Sequence, residues 1–471
     1  MNDRAFDIAI IGGGFSGTAL AVQCLRRARG RPLRVALIER RREAGRGVAY
    51  STESPQHLLN VPTGRMSMLP EVPDDFLRYA SGLDAGASSG SFQRRSVYGA
   101  YLRTRLEQAA VEAAPAELVH FGAEAVDISQ DEAACRVALA DGQVLEAKRL
   151  VLANGNQPPA QLPRVGEAFS ADPRYIRDPW DQGALDRVAL DRPVLLVGTG
   201  LTMADVALEL KRRGMTGAMV ALSRRGLMPR PHRHHAGPAL EPTALLRLLQ
   251  AGPADLRRYL RVTRLCLAEF AEKGIDWRDV LSSLRPATAR LWQGLPEAER
   301  RRFLRHLQPY WDVHRHRLAP EVAQALERLQ EHGQLQVEAA RITRLEVSGE
   351  SLLVEWHPRH RDKLHRMLQV GSVVNCTGPE TRLRRSTDTL IRRLLQQGVL
   401  NPDPLHLGVL TDEHGALLDA AGRASGQFFY LGPMLRARDW ECTAVPELSV
   451  QAARLADKLL ADIEEPELLP A

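Results

Sequence analysis

Cysteine is scarce in this chain. The five cysteines among 471 residues (Cys24, Cys135, Cys266, Cys376 and Cys442) are scattered and form no C-x-x-C pair. That excludes a disulfide framework, a zinc ribbon and a dithiol redox centre, and a reducing cytoplasm is the expected home. Lysine is nearly missing too: five of the 63 basic residues are lysines. Arginine is the better fork for phosphates and carboxylates, although a genome rich in G and C produces the same bias. The net charge is only +6, with no basic tail and no aromatic-rich nucleic-acid motif, so nucleic acid is not an expected partner. No apolar run reaches the roughly 18 residues of a membrane span, and Met1–Arg4 leads into a strand-like run without the apolar stretch of a secretion signal. No membrane partner is expected.

What is present is the balance of a globular protein, 44% hydrophobic and 25% charged. At roughly 150 residues per domain, the length suggests about three structural units. The first is a βαβ unit. Phe6–Ile11 is a short buried strand, Gly12-Gly13-Gly14-Phe15-Ser16-Gly17 follows, then a helical run through Leu20, Val22 and Leu25, then a strand at Arg34–Ile38 closed by Glu39. In Gly12-x-Gly14-x-x-Gly17 the first glycine permits the tight turn, the second admits a pyrophosphate and the third lets helix and strand pack closely. Glu39 is placed to accept hydrogen bonds from ribose hydroxyls. Alternating runs around an Asp141-Gly142 turn suggest a β-meander from Val119 to Leu152.

A second βα signal starts at Pro193–Val197 and passes through Gly198-Thr199-Gly200-Leu201-Thr202 into a helix, with Met203 where a third glycine would stand. Its next strand ends in Ser223-Arg224-Arg225 instead of an acid, which suits the 2′-phosphate of NADPH better than NADH. Two dinucleotide sites in one chain suggest FAD in the first and a nicotinamide donor in the second. The expected fold is α/β, with two Rossmann-like dinucleotide-binding domains and a helical insertion. The expected boundaries are 1–156 for the first part of the FAD-binding domain, 157–192 for a proline-rich linker and 193–240 for the first part of the NAD(P)H-binding domain. The helical insertion follows at 241–332, then the second part of the NAD(P)H-binding domain at 333–370 and of the FAD-binding domain at 371–471.

The expected cofactor-binding set is Gly12, Gly13, Gly14, Phe15, Ser16, Gly17, Glu39, Val126, Gly155, Gly198, Thr199, Gly200, Leu201, Thr202, Ser223, Arg224, Arg225, Gly378 and Gly432. Of these, Gly378 and Gly432 lie at strand ends with small residues, where a flat ring can pack on backbone. The last helix, expected at Ser449–Asp462 beyond Trp440–Glu447, offers its N-terminus to negative charge on a reduced flavin. His232, His234, His235, His314 and His316 lack the cysteine or carboxylate that would complete a zinc pattern, so no metal is expected.

Several motifs resemble a bacterial group of FAD/NAD(P)-binding monooxygenases. They are Ile11–Gly17, Gly47-Val48-Ala49-Tyr50-Ser51-Thr52, His57-Leu58-Leu59-Asn60-Val61-Pro62, Gly198–Asp205, Leu304–His306 leading to Trp311–Arg317, and Asn375–Pro379. That group contains FAD-dependent urate hydroxylases and amino-acid N-monooxygenases that oxidise aspartate to nitrosuccinate. The resemblance implies that NAD(P)H reduces FAD, that O2 adds at the flavin C4a, and that the hydroperoxide's distal oxygen passes to a small-molecule substrate. It also implies a catalytic Asn60, hydrogen-bonded to the flavin–oxygen adduct or the nicotinamide. Arg65, the Arg230–His235 run and the His314–Arg317 run are candidate anion binders. The compact length points to the urate branch, giving 5-hydroxyisourate in purine catabolism. The alternatives are an aspartate-like N-monooxygenase and a non-catalytic flavin- or nucleotide-sensing protein. The leucines of the insertion suit core packing or a homodimer face.

Overall fold

The computed structural model describes residues 5–28, 30–41, 43–130, 134–163, 165–233, 243–359 and 364–464. Short apolar runs that can be buried on both faces become parallel strands here. In the first sheet β1 (Phe6–Ile11) lies between β2 (Arg34–Ile38) and β6 (Val144–Leu152). β3 (Glu117–Phe121) extends it beyond β2, and β15 (Ala424–Tyr430) beyond β6, all in parallel. The alternating segments β4 (Ala125–Gln130) and β5 (Cys135–Leu139) join β6 as an antiparallel meander, and β14 (Ala416–Leu418) pairs antiparallel with β15. Helix α1 (Phe15–Ala28) has no acid in its first turn and ends in Arg26 and Arg27, charge that suits a helix macrodipole. Beside it stands α2 (Arg95–Glu112), whose Tyr98, Tyr101 and Leu102 are wholly buried.

The second sheet repeats this plan. β8 (Val194–Val197) lies between β9 (Met219–Ser223) and β13 (Ser372–Asn375). Outside these run β10 (Leu335–Ser348) next to β9 and β7 (Tyr175–Ile176) next to β13, again parallel. An antiparallel edge of β11 (Ser351–Pro358) and β12 (Arg366–Val370) completes it. In both sheets the strand order reverses beside the glycine-rich turn, the switch point at which open α/β sheets bind ligands. Helix α3 (Leu201–Arg212) follows β8 and buries Met203, Val206, Ala207 and Leu210.

Two expected boundaries move. The stretch 157–192 was expected to be a linker, yet it contributes β7, and β13 belongs to the second sheet although 371–471 was assigned to the first domain. The run Ser372-Val373-Val374-Asn375 is apolar enough for either sheet, and only its partners Val194–Val197 decide which. Between β9 and β10 the insertion is helical in its described part. It includes Leu256–Glu272, Trp277–Ser283, Thr288–Gly294, Glu297–His306, Gln308–Arg315 and Pro320–Glu331. The last helix, α4 (Val445–Glu464), packs along α1. Among the described residues no helix is long and apolar enough to cross a membrane.

Candidate functional site

The two glycine-rich turns share one hydrogen-bond plan. Gly12 has φ +110° and Gly198 φ +116°, values that side chains rarely adopt. The Gly12 N–H donates to the Ile38 carbonyl at 2.8 Å, and the Gly198 N–H to the Leu222 carbonyl at 2.8 Å. A Cβ on Gly12 would lie 2.4 Å from the Ala153 carbonyl oxygen, and one on Gly198 would lie 2.4 Å from that of Cys376. Each turn is thus pressed against the end of the neighbouring central strand, leaving no space for a side chain. The third fingerprint glycine differs between the two. A Cβ on Gly17 would sit 1.9 Å from the Gly12 carbonyl oxygen, whereas the second turn carries a fully buried Met203 at the matching place.

Glu39 is buried, and one carboxylate oxygen accepts the Gly13 N–H at 2.7 Å while the other accepts the Arg41 N–H at 3.0 Å. Each oxygen keeps lone-pair capacity for a ribose hydroxyl. The Asn154 amide oxygen, just past β6, is buried without a hydrogen-bond partner among the described residues. A positive-φ turn, an acid at the second strand end and an unsatisfied acceptor fit the diphosphate, ribose and sugar-alcohol groups of a flavin dinucleotide. Gly45 and Gly47 escaped the sequence analysis as parts of this cradle. A Cβ on Gly47 would lie 2.8 Å from Gly14 Cα, and the Gly45 N–H donates to the Gly13 carbonyl at 2.7 Å. For Gly47 the available signal was its place at the head of the Gly47–Thr52 motif, and Gly45 lies two residues before it.

Other expected residues divide. Phe15 and Ser16 are buried in α1, and Val126 is half-buried where the β4–β5 register shifts. Gly155 and Gly378 take φ +70° and +84° just beyond β6 and β13, and Gly432 takes φ +150° beyond β15. In the second turn Thr199 Oγ1 donates to the Leu227 carbonyl at 2.6 Å, so the 2.9 Å bond with Ser223 Oγ uses the serine proton. Ser223 also accepts the Gly226 N–H. Its hydroxyl closes the loop and has little capacity left for a phosphate. Arg225 donates to the Arg305 carbonyl at 3.1 Å and lies over Tyr310, whereas Arg224 is exposed. Among the described residues no three His, Cys, Asp or Glu are grouped to hold a metal, and His234 and His235 lie outside those residues.

Asn60 lies where three parts of the chain meet. Its carbonyl is 3.1 Å from His232 Nε2. Burial, then the Arg317 guanidinium, holds the His232 imidazole down at about 3. The ring is therefore neutral at physiological pH, and its Nε2–H donates to Asn60. His232 itself is anchored to the insertion, its N–H donating to the Leu318 carbonyl at 2.8 Å.

Around this point lies an arginine-rich cluster with a definite charge ledger. Arg285 makes a two-pronged pair with Glu447, and Arg315 Nε lies 2.9 Å from Glu441. Arg278 pairs with Asp276 at 3.1 Å and Arg233 with Asp279 at 2.5 Å. Arg317 is 7% exposed, its Nη2 donates to Ser282, and its buried Nε has no partner. No carboxylate among the described residues lies within ion-pair reach of it. Burial, then Arg315 and Arg278, brings its guanidinium down to about 10, still protonated at neutral pH. Arg315 is likewise pushed down by burial, and its buried Nη2 has no hydrogen bond. Arg65, exposed at its edge, extends the cluster, and partial burial and the charge of Arg285 lower it too. A cavity of about 330 Å³ lies elsewhere, at the chain crossings between the sheets, lined by Gln157, Arg177, Glu380 and Arg385.

A protein-family description, "FAD-NAD(P)-binding", matches residues 9–157. Comparison with curated proteins finds no match. Among solved structures, the chain is similar to ornithine hydroxylase from Pseudomonas aeruginosa, at 15% identity and TM-score 0.65 over 98% of this chain and 100% of that one. L-lysine 6-monooxygenase from Pseudomonas syringae gives 18% and 0.63, covering 97% and 100%. A cadaverine monooxygenase from Erwinia amylovora gives 14% and 0.64, covering 98% and 95%. The expected pairing of FAD with a nicotinamide dinucleotide agrees with the matched description, and nothing in these comparisons supports urate. The mixed α/β fold, with its two parallel-stranded units, is shared with these structures.

Proposed function

We propose that the protein is an FAD- and NADPH-dependent N-monooxygenase that oxygenates the amine of a carboxylate-bearing substrate, an amino acid. The turn at Gly12–Gly17 with Glu39 would hold FAD, and the turn at Gly198–Thr202 with Arg224 would hold NADPH. When bound there, the flavin supplies hydride acceptance and the activation of O2. The chain's own residues do the rest. The half-buried Asn60 would donate its side-chain amide to the flavin or the nicotinamide. The insertion, pinned over this region by Arg285 and Arg315, keeps water out.

The observation that carries the reading is Arg317. Asp276 and Asp279 act on it only from beyond ion-pair reach, and a buried guanidinium with no carboxylate in contact among the described residues is unfavourable by several kcal/mol unless something supplies the anion. A substrate carboxylate would do so, with Arg317 and Arg65 as its anchors and beside them Arg315 Nη2, which makes no hydrogen bond and lies 4.0 Å from Glu447. Ornithine hydroxylase and L-lysine 6-monooxygenase take their names from compounds that carry a carboxylate, and cadaverine monooxygenase from one that does not. The test is oxygen uptake and NADPH oxidation by the holoenzyme with aspartate, ornithine, lysine, cadaverine and urate, with peroxide and hydroxylamine measured alongside. Hydroxylamine or nitroso product from an amino acid is the expected result. Product from cadaverine or urate alone, or peroxide alone with every compound, overturns the reading.

A further inference from the structure

The segment carrying Asn60 lies in the sequence between parts of the first domain, and Leu59 and Val61 pack in that domain's core, yet several of its polar side chains are fastened to the second. Ser54 Oγ donates to Glu209 Oε2 on α3 at 2.6 Å. His57 Nε2 lies 3.3 Å from the Asp205 carbonyl on the same helix, and Thr52 Oγ1 lies 2.7 Å from His57 Nδ1. Arg95, at the start of α2, donates to the Leu58 carbonyl at 3.2 Å and to the Asp205 carboxylate at 2.7 Å. Phe92 and Leu58 pack on the second domain's core. At the far end His232, which follows β9, donates to Asn60 itself.

These ties are buried. Arg95 and Asp205 have side chains 16% and 9% exposed. Burial alone would raise the Glu209 carboxyl, but hydrogen bonds from Arg212, Ser54 and Arg213 outweigh it and hold the group at about 2. Polar groups removed from water in this way are costly to separate, so the Asn60 loop, whose Leu59 and Val61 pack in the first domain's core, is also held to α3. The N-terminus of α3, at Gly200 and Leu201, is where the second glycine-rich turn presents its N–H groups.

We propose that occupancy of the second dinucleotide site sets the position of Asn60, with Glu209, Asp205 and His232 as positioning residues between the two. This rests on the reading of the Gly198–Thr202 turn as the NADP(H) site, but not on any particular substrate. Dinucleotide phosphates at the N-terminus of α3 fix that helix. The ties at Ser54, His57 and Arg95 then fix the loop, and His232 fixes the Asn60 backbone from the other side.

Hydrogen–deuterium exchange of the FAD-loaded protein, with and without NADP+, tests this without turnover. In the wild type, amides of residues 57–62 should exchange about tenfold more slowly when NADP+ is bound. In S54A and H232F that protection should shrink to within about twofold while calorimetry still shows NADP+ binding. His232→Gln, which keeps an N–H donor, should restore most of it. In the same variants, peroxide released per NADPH consumed should rise about threefold or more, while anaerobic flavin reduction stays within about twofold of wild type. A merely structural role would lower both together. Exchange in 57–62 that ignores NADP+, variants that keep full protection, or no NADP+ binding at all would each overturn the inference. If NADP+ protects the loop but no amine is oxygenated, the functional reading falls and this one stands.

Discussion

Arg317 lies in a run, His314-Arg315-His316-Arg317, in which every residue is a candidate anion binder on paper. Only the fold tells them apart. Glu441, far along the chain, claims Arg315 and approaches His316, while His314 packs its ring against Trp277 at 5.0 Å. The charge that matters is the one left over, and no local pattern shows a pairing made at that sequence distance. We expect Arg317→Gln to raise KM for the amino acid at least tenfold with kcat changed less than threefold, since a charged hydrogen bond in a buried site is worth about 1.5–3 kcal/mol. Steady-state kinetics on the holoenzyme decides it. Equal loss in kcat and kcat/KM would place Arg317 in the chemistry instead. The glycines were the opposite case, since steric necessity is written in the sequence. Gly17→Ala would force a methyl into the Gly12 carbonyl, and we expect loss of bound FAD, read from absorbance per polypeptide, together with a lower Tm.

Strands and helices were legible wherever a periodic or continuous apolar run stood beside a turn signal, as at β1, β2, β6, β8 and β9. Short strands were not. β7 is two residues long, and β13 has no feature that says which sheet it joins, so the domain boundaries drawn at 192 and 371 fell in the wrong places. Helix α3 shows what an element gains from tertiary context. Its glutamate at position 209 looks like an ordinary surface residue in the sequence but is 4% exposed, with both carboxylate oxygens engaged. Its pKa is depressed from 4.5 to about 2, so its stabilisation is present above pH 4.5 and is lost as pH falls through about 2. The size is on the order of 3 kcal/mol. Thermal melts of Glu209→Gln should therefore lie well below wild type at pH 7 and converge on it as the pH approaches 2. A constant gap across that range would show that the carboxylate's charge is not what matters.

At the scale of the whole molecule, the helical insertion is fastened to the C-terminal part of the chain. Trp292 stacks on Trp440 with centroids 4.7 Å apart, and its indole N–H donates to the Ala437 carbonyl at 3.1 Å. The Trp311 indole N–H donates to Glu441 at 2.6 Å, and Arg285 grips Glu447 at the start of α4. The presence of an insertion was readable from its dense leucines. Its docking was not, because the partners are separated by more than a hundred residues. Breaking a buried ion pair from one side costs roughly 3–5 kcal/mol. We expect Arg285→Ala to lower Tm by several degrees and to increase the peroxide released per NADPH consumed, because a loosened insertion admits water. Stopped-flow and peroxide assays check this. Intact coupling in a destabilised variant would mean that the insertion anchors without sealing.

The interleaving of the two sheets bears on how the polypeptide is made. The strands that flank β8 are all synthesised by Asn375, whereas β1 and its neighbours wait for Ala424–Tyr430 before their sheet has its last parallel strand. During translation, the sheet encoded second is thus the first to have all of its strands, although β1, β2, β3 and β6 of the other are already made by Leu152. The first sheet emerges from the ribosome early but lacks its last parallel strand until Tyr430 is made, a long interval in which chaperones rather than cofactor would guard its apolar strands.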